Sequence, residues 1–484
     1  MKNLPKKKTK VVCTIGPASD AQEVLEQMIR NGMNIARLNF AHGDAAGHER
    51  IIQNIRAAAA RAEEQVTIMG DLPGPKMRIG RLAEEPLELV SGQSFILQTD
   101  AIQGDNQRVS ISFSSLPEVV NPGDRIYIND GFIQLEVTHI KDQEVHCLVQ
   151  VGGELRSNNG VNIPGVDLGI CAFTDRDREF LEFAKEHGVD AISQSFVQEI
   201  TDIQAVRDAA AEIGYDPFII AKIERARAVE NLDEILKVTD GIMVARGDLG
   251  VEIPIEEIAI VQKQIIRKAN IAGKPVITAT HMLESMVENS RPTRAEATDV
   301  ANAILDGTDC VMLSGETALG KFPDGAVDVM SRIACVTEPH SFTRGTADIL
   351  EAAKHTGDIS TEDLISLSIF LSVEVINPVA VITPTMSGAT ARRVCRFRLP
   401  VWIIAVSPNQ STCKDLGFSY GVYPIFEHQR PESWAQYARD VLTKFDITGE
   451  LALLTKGTSA AQKVGTNEME IIDLTSPEGR EVIW

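Results

Sequence analysis

The sequence predicts an α/β protein: a (β/α)8 barrel with an inserted all-β lid domain and a C-terminal α/β domain with a mostly parallel sheet. Three observations lead to this prediction. Short apolar runs alternate with amphipathic helical stretches over residues 10–75 and 174–340, the pattern changes between about residues 74 and 171, and strand–helix alternation resumes near residue 345. Repeated strand–helix units form parallel sheets, and eight such units close into a barrel.

The barrel strands are predicted at eight apolar runs, each followed by helical periodicity except the third, where the pattern is interrupted. The runs are Val11–Ile15, Asn34–Asn39, Val66–Asp71, Asp190–Phe196, Phe218–Glu224, Gly241–Arg246, Pro275–Thr280 and Cys310–Ser314. Strands buried on both faces are typically continuous apolar runs. We therefore assign residues 1–73 and 172–341 to the barrel domain.

The interruption, residues 74–171, has the period of β-strands. Apolar residues at Ile133, Leu135 and Val137 alternate with polar ones, and Asn129-Asp130-Gly131 nearby is a strong tight-turn signal. An all-β insertion at a β/α loop lies on the catalytic face of a barrel. We expect it to act as a lid that closes over the site.

The last block, residues 345–484, is predicted to be a separate domain of strands and helices. Its helices are expected at Thr361–Ile376, Ala389–Arg398, Gln410–Gly417 and Glu432–Phe445. Its strands are expected at Pro378–Thr383, Val401–Ser407, Gly421–Phe426, Leu451–Leu454 and Met469–Asp473. This alternation indicates a mostly parallel sheet.

Composition excludes several classes of function. The chain has 484 residues and a formal net charge of −21, which argues against a nucleic-acid or anionic-membrane partner. No apolar run is long enough to span a bilayer. Seven scattered cysteines, without metal-pair spacing, indicate reduced thiols and a cytoplasmic protein. The basic run Lys6–Lys10 is interpreted as a solvated N-terminal arm.

Polar residues collect at the carboxyl ends of the predicted barrel strands. They are Arg37, Asn39, Asp71, Ser195, Lys222, Glu224, Asp248, Thr278, Thr280, Ser314 and Glu316. A polar layer inside the barrel or a helix cap could explain any one of them. Because the carboxyl ends of all eight strands form one rim, we expect a shared site there.

Two carboxylates of this rim, Glu224 and Asp248, are the predicted ligands of Mg²⁺ or Mn²⁺. Asp248 could instead be a helix cap. Lys222 would neutralise charge on a transferring phosphoryl group or an enolate, and its alternative role is a buried salt bridge with Glu224. The amides of the turn at Gly247 suit a carboxylate or a phosphate.

The residues of the rim belong to longer segments that match a known family. These segments are Val12–Ser19, Gly32–Phe40, Ala221–Glu224, Gly241–Pro254, Ile277–Met286, Arg291–Glu296, Asp299–Gly307 and Met312–Ala318. With them the chain closely resembles the pyruvate kinase family, over its whole length and in all three domains. The resemblance implies transfer of the phosphoryl group of phosphoenolpyruvate to ADP, giving ATP and pyruvate, the final step of glycolysis. It also implies a homotetramer.

The resemblance implies roles for individual residues. Lys222 would stabilise the transferring phosphoryl group and the enolate, and Thr280 would organise the proton delivered to the enolate. The implied substrate contacts are Arg37, Ala245, Gly247, Asp248, Thr280 and Lys222, with phosphate contacts from Arg37 and Arg78. The implied nucleotide contacts are Arg78, Arg176, Asn39 and Asp130, of which Asp130 would reach the site when the lid closes.

The chain departs from the family pattern at the monovalent-cation site. Asn39 and Asp71 remain, but Ala41 and Leu72 occupy the serine and carbonyl positions, and Lys76 stands where K⁺-dependent relatives carry glutamate. A lysine ammonium can supply the charge that K⁺ otherwise provides. We predict that K⁺ is not required; the alternative is that Lys76 is an ordinary surface lysine.

The segment from Thr383 to Arg392 resembles the effector loop of the family, which binds sugar phosphates. Its candidate contacts are Thr383, Thr385, Ser387, Gly388 and Thr390, hydroxyls and amides that suit a phosphate. Helix capping by Ser387 is the alternative. The later loop 456–463 lacks a clear sugar-recognition signature.

Two other functions compete with a Mg²⁺-dependent kinase. A carbon–carbon lyase or aldolase on an enolate-forming barrel could share Lys222, Glu224 and Asp248, but a lyase needs neither a lid insertion nor the nucleotide contact of Arg78. A non-catalytic metabolite sensor would be free to lose the catalytic residues, which this chain retains.

Overall fold

The computed structural model describes residues 4–341, 360–457 and 465–475. Eight parallel strands form a closed barrel. Numbered along the whole chain, they are β1 (Lys10–Thr14), β2 (Ile35–Asn39), β3 (Thr67–Leu72), β12 (Ala191–Gln194), β13 (Phe218–Ile223), β14 (Gly241–Ala245), β15 (Val276–Ala279) and β16 (Cys310–Leu313). Around the barrel they follow the order β1-β16-β15-β14-β13-β12-β3-β2. The predicted (β/α)8 barrel is confirmed, with strand ends displaced by one or two residues.

Helices surround the barrel, and local signals fix several of their ends. They are α1 (Gln22–Arg30), α2 (Ala45–Ala62), α4 (Asp175–Glu186), α5 (Ile200–Glu212), α6 (Ala226–Glu230), α7 (Leu232–Val238), α8 (Arg246–Glu252), α9 (Ile258–Ile271), α10 (Arg294–Asp306), α11 (Gly315–Ala318) and α12 (Pro323–Thr337). Thr174 and Thr293 begin α4 and α10 with capping boxes, and Gly307 ends α10 in the left-handed conformation. None of the helices in the described ranges is long and apolar enough to span a bilayer.

Side chains alternate between the inside of the barrel and the surrounding helices. In β13, Phe218 and Ile220 belong to the interior cluster, whereas Ile219 and Ala221 pack with the outer layer. The period of two places Lys222 inside the barrel, one layer above Ile220 toward the carboxyl end. Strand parity therefore places this lysine inside the barrel, at the carboxyl-end rim.

The insertion forms a mixed sheet, and the predicted β-rich lid is confirmed as a fold. Its strands are β4 (Leu87–Leu89), β5 (Ser94–Gln98), β6 (Arg108–Ser110), β7 (Arg125–Ile128), β8 (Ile133–Lys141), β9 (Glu144–Val151), β10 (Gly153–Leu155) and β11 (Val161–Asn162), with one short helix, α3 (Leu116–Val119). Six strands run in the order β11-β7-β8-β9-β5-β6, and β10 pairs with β4. The predicted turn connects β7 to β8, with positive φ at Asn129, Asp130 and Gly131.

The C-terminal region contains a five-stranded sheet. Its strands are β17 (Ala380–Pro384), β18 (Trp402–Ser407), β19 (Val422–Phe426), β20 (Leu451–Lys456) and β21 (Glu468–Asp473). They lie in the order β19-β18-β17-β20-β21 and are parallel except for the last pair. Its helices are α13 (Thr361–Ile376), α14 (Ala389–Cys395), α15 (Gln410–Asp415) and α16 (Trp434–Lys444). The mostly parallel sheet is confirmed. The domain boundaries stay predictions, and residues 345–359, 458–464 and 476–484 of the predicted domain lie outside the described residues.

The C-terminal region closes the amino-terminal end of the barrel. Phe418 belongs to the interior cluster of the barrel and stacks on Phe218 with a centroid distance of 5.2 Å. Cys310 Sγ donates to the carbonyl of Phe418 at 3.2 Å. Beside this contact, Arg398 and Asp309 form a buried ion pair of 2.7 Å. The barrel core is therefore completed by a residue of another domain.

The N-terminal basic run is not a solvated arm, so that interpretation is wrong. Lys7 and Lys10 are 5% and 6% exposed. Lys7 Nζ donates to Asn34 Oδ1, and Lys10 Nζ donates to the carbonyl of Val422, each at 2.8 Å. Burial lowers the pKa of both lysines to about 8. The run leads into β1 between the barrel and the C-terminal sheet, a contact that local sequence does not reveal.

Candidate active site

Lys222 lies at the centre of the polar residues on the carboxyl-end rim. Its Nζ lies 2.7 Å from Ser195 Oγ, 3.3 Å from Glu224 Oε2 and 3.6 Å from Asp71 Oδ1. Burial alone would lower the pKa of Lys222, but the two carboxylates outweigh burial and raise it. The ammonium is therefore charged at neutral pH and held in a fixed position. Its predicted alternative, a salt bridge with Glu224, is present and forms part of the site.

Glu224 and Asp248 bring two carboxylates to neighbouring strand ends. Glu224 Oε1 accepts from the Phe196 amide at 2.7 Å, whereas Oε2 is buried and accepts no hydrogen bond. Burial raises the pKa of Glu224, Lys222 opposes this, and the charge of Asp248 raises the pKa further. Asp248 lies in the first turn of α8 and pairs with Lys76 at 3.5 Å.

These two carboxylates suit a hard divalent cation. Within the described residues there is no group of three or more His, Cys, Asp or Glu side chains placed to hold a metal ion. Mg²⁺ keeps several waters and is commonly bound by one or two carboxylates together with substrate oxygens. The donor set, with one buried carboxylate oxygen accepting no hydrogen bond, therefore fits Mg²⁺ or Mn²⁺ completed by water and substrate.

Asp71 and Arg37 form a second charged pair inside the rim. Arg37 donates to Asp71 Oδ2 through Nε at 3.1 Å and through Nη2, and it donates to Thr14 Oγ1 at 2.8 Å. Ser193 Oγ donates to Asp71 Oδ1 at 2.6 Å. Burial acts to raise the pKa of Asp71, but Lys222 and Arg37 outweigh it and lower the pKa. Thr14 and Ser193, which support this pair, were not singled out from the sequence.

Asn39 accepts a local hydrogen bond. Its Oδ1 atom accepts from the amide of Ala41 at 3.2 Å, closing a tight turn after β2. Asp71 is meanwhile held by Arg37 and Lys222. The two predicted remnants of a monovalent-cation site therefore already have protein partners.

Thr280 lies in a strained turn that Arg246 supports. Thr280 and His281 have φ of +74° and +54°, which non-glycine residues rarely adopt. Arg246 donates to the carbonyls of Ala279 and Thr280 at 3.1 and 2.7 Å, and to Asp299 at 2.8 Å. Its guanidinium therefore fixes the backbone at Thr280, a positioning role that sequence reasoning missed.

A close contact explains the glycine that follows Arg246. A Cβ on Gly247 would lie 2.7 Å from the Thr280 methyl group, so only glycine leaves room for it. Thr280 thus packs directly against the turn that carries Asp248. Ala245 is buried at the end of β14, immediately before this turn.

A group of cations lies where the barrel meets the lid. Burial lowers the pKa of His42, and three nearby cations lower it further: Arg78, Arg37 and Lys76. Arg78 Nη1 donates to the carbonyl of Asn158 at 2.9 Å. This positive corner is suited to a phosphorylated ligand.

Two predicted nucleotide contacts lie at the rim but are exposed. The guanidinium of Arg176 is 5.5 Å from the Phe180 ring centroid, in the first turn of α4. Asp130 lies in the lid turn, where a Cβ on the next residue, Gly131, would be 3.7 Å from Val251 of α8. The lid turn therefore lies against the helix that carries Asp248.

Some polar strand-end residues do not face the site. Thr278 points outward from the barrel and donates to Thr308 at 3.0 Å. Glu316 is buried and accepts from the amides of Leu283 and Ser314 at 2.9 and 2.6 Å, so it braces two loops. The expectation of one site shared by all strand ends is wrong for these residues. For Thr278 the alternation of side chains along the strand indicates this, because Thr278 is adjacent to the inward-facing Ile277 and so faces outward.

The loop after β17 forms a separate candidate site. Thr385 Oγ1 accepts from the amide of Gly388 at 2.9 Å, and α14 begins after Gly388 without a side-chain cap. The alternative of capping by Ser387 is therefore wrong. Thr383 is fully buried, and its hydroxyl has no hydrogen-bond partner in the described structure. Thr390 contacts Thr466.

Comparison with known proteins identifies the family. The barrel domain of pyruvate kinase matches residues 6–327, and the alpha/beta domain of pyruvate kinase matches residues 363–472. The chain belongs to the pyruvate kinase family. A pyruvate kinase from Thermococcus litoralis is 45% identical over 475 residues, covering 97% of this chain and 99% of that protein. One from Thermotoga maritima is 42% identical over 468 residues, covering 95% and 97%.

A solved structure agrees with this relationship. The crystal structure of a pyruvate kinase from Cryptosporidium parvum matches with a TM-score of 0.88 at 39% identity, covering 97% of this chain and 96% of that one. Membership of the pyruvate kinase family makes this chain a phosphotransferase, as the sequence predicted.

Proposed function

We propose that this pyruvate kinase family member transfers the phosphoryl group of phosphoenolpyruvate to ADP. The observation that carries the proposal is the position of Lys222, within 3.6 Å of Ser195, Glu224 and Asp71 on the catalytic rim. The bond from phosphorus to the enol oxygen breaks as a bond to the terminal ADP phosphate oxygen forms. A fixed ammonium stabilises the charge on the transferring group and on the enolate left behind.

The metal and substrate contacts follow from the same rim. Glu224 and Asp248 would hold Mg²⁺ or Mn²⁺, which would neutralise phosphoryl charge and orient the substrate. The amides of Gly247 and Asp248, beside Ala245, would bind the substrate carboxylate. Thr280, packed against Gly247, would organise the proton that converts the enolate to pyruvate.

Positive and polar groups on the lid side would bind the phosphates and the nucleotide. Arg37 and Arg78 belong to the cationic corner around His42, which supports their assignment to phosphate. Arg176, Asn39 and Asp130 are the further nucleotide contacts that family resemblance supports.

Independence from K⁺ is the finer part of the proposal. Asn39 and Asp71 already have protein partners, and the ammonium of Lys76 stands close to the charged centre. A lysine ammonium near the phosphoryl group would supply the charge that K⁺ supplies elsewhere.

Pyruvate formation from phosphoenolpyruvate, ADP and Mg²⁺, in buffer free of K⁺, tests both parts. Strong activity supports the reaction and K⁺ independence together. Activity that K⁺ raises tenfold or more supports the reaction alone and removes Lys76 as the replacement cation. If no pyruvate forms even with K⁺ and sugar phosphates present, the result would favour a lyase or a metabolite sensor.

Regulation by a sugar phosphate is proposed at the loop after β17. The unpartnered Thr383 hydroxyl and the uncapped start of α14 at Gly388 support a phosphate there. Titration with phosphorylated sugars should change the phosphoenolpyruvate dependence of the wild type but not that of Thr383→Val. An unchanged wild type, or an equal response in the variant, would contradict the assignment.

A cytoplasmic homotetramer is the proposed assembly. Helix α13 is apolar on more than one side, and Leu364, Leu371 and Val375 are 48%, 52% and 78% exposed. An apolar stripe of this kind on a surface helix suits a contact with a second copy. Light scattering of the wild type and of Leu371→Glu with Val375→Glu measures the state directly. A monomeric wild type would contradict the proposal.

A further inference from the structure

Lys76 faces the proposed metal carboxylates. It lies in the segment that leads from β3 into the lid, and its Nζ lies 3.5 Å from Asp248 Oδ1. Its positive charge also acts on Glu224, where it opposes the rise in the pKa. Asp71, the acidic member of the predicted monovalent-cation site, pairs instead with Arg37 and Lys222.

We propose that Lys76 is a built-in counter-cation for the metal site, which neutralises Asp248 when no divalent ion is bound and competes with that ion. This inference rests on the proposed assignment of Glu224 and Asp248 to the metal. A divalent ion and an ammonium that share the Asp248 carboxylate lie a few ångströms apart and repel each other, so they compete for it. Metal binding would therefore displace Lys76.

Lys76 also links metal binding to the segment that leads from β3 into the lid. The amide of Lys76 donates to the carbonyl of Gly74 at 3.0 Å, and a Cβ on Gly160 would lie 3.3 Å from Lys76 Cε. The side-chain stem thus lies against Gly160, the residue immediately before β11 of the lid. When the metal displaces the ammonium from Asp248, the charge of Lys76 would become available to replace that of K⁺. The two roles of Lys76 therefore occur one after the other.

Mn²⁺ binding to the full-length protein, followed by electron paramagnetic resonance without substrate, nucleotide or K⁺, tests the inference. Lys76→Met should bind Mn²⁺ about three- to tenfold more tightly than the wild type. The pair is about a third exposed, so its loss gives a modest gain, to which relief of repulsion adds. Lys76→Arg, which keeps the charge, should stay within about twofold of the wild type. Lys141→Met, at an exposed lid lysine, is the matched control and should change nothing.

The outcomes separate this inference from the proposed metal site. A gain below threefold in Lys76→Met, a loss of affinity, or an equal gain in Lys141→Met overturns the counter-cation. Asp248→Asn tests the site itself and should weaken Mn²⁺ binding strongly. If it does so while Lys76→Met gains nothing, only the counter-cation fails. If Asp248→Asn leaves Mn²⁺ binding unchanged, both the metal site and the inference built on it fail.

Discussion

Replacement of Lys222 by methionine should abolish most phosphoryl transfer while the fold survives. The variant keeps the length of the side chain but loses the ammonium, which lies 2.7 Å from Ser195 Oγ and 3.3 Å from Glu224 Oε2. One preorganised neutral donor is worth about 10² to 10³ in kcat, and a cation at a transferring phosphoryl group about 10³ to 10⁵. We expect kcat to fall by about 10³ or more, roughly 4 kcal/mol of transition-state stabilisation.

The structure also fixes the stability cost of this change. Asp71 keeps Arg37 as a partner, but Glu224 is left buried without its 3.3 Å cation. Removing one partner of a buried ion pair typically costs about 3 to 5 kcal/mol. We expect a cost at the lower end of this range, because Glu224 still accepts a hydrogen bond from the Phe196 amide.

Pyruvate formation coupled to NADH oxidation measures kcat, and Mn²⁺ binding and thermal unfolding are measured in parallel. Ser195→Ala is the matched control, because it removes one hydrogen bond and keeps the ammonium, and it should lose only about tenfold. Mn²⁺ binding in Lys222→Met should be largely retained. A kcat within tenfold of the wild type, in a folded variant that binds Mn²⁺, would remove Lys222 from the mechanism.

Three further experiments test other parts of the structure. Arg246→Met loses the bonds to the carbonyls of the strained turn, so kcat at saturating substrate should fall by about 10², and an unchanged kcat would contradict a positioning role. Asp309→Ala leaves the Arg398 guanidinium buried without its counter-ion, although Arg398 still donates to Asn270 and to the Gly307 carbonyl, and should cost about 3 to 5 kcal/mol in urea unfolding. With Arg398→Met added, a simple sum of the costs of the two single substitutions would refute direct coupling. Burial is the main influence on Asp415 and raises the pKa of its carboxyl group to about 7. The folded protein therefore binds the Asp415 proton more tightly than the unfolded chain does. The stability that comes from this tighter binding is lost as the pH rises from about 4 to 7. Asp415→Asn should therefore stabilise the protein by about 1 to 3 kcal/mol at pH 8 and by little at pH 4, and an equal gain at both pH values would refute this.

The clustering of the candidate site residues was predictable because they lie at strand ends, which are a local feature of the sequence. Lys222 was predicted from its position at a strand end, and its even spacing from the inward Phe218 and Ile220 agrees with its place inside the barrel. Parity also distinguishes Thr278 from the neighbouring strand-end residues, because it follows the inward Ile277 by one position. Applying the period to every strand end would have excluded Thr278 in advance.

Other contacts were not predictable because they join distant parts of the chain. Lys10 bonds to Val422, and Phe418 enters the barrel beside Phe218, in each case across at least 200 residues. The role of Arg246 was missed for a different reason. It depends on the positive φ of Thr280, a backbone conformation that the pattern of side chains in the sequence does not predict.

The contact of Phe418 with the barrel interior has a consequence during synthesis on the ribosome. The last barrel strand ends at Leu313, whereas the phenylalanine that fills the amino-terminal end of the barrel comes roughly 100 residues later. At about 5 to 20 residues per second, the nascent barrel waits about 5 to 20 s with Phe218 and Cys310 uncovered. That interval is the period in which chaperones would find an apolar surface to bind. A barrel released by truncation before Phe418 would keep that surface exposed permanently.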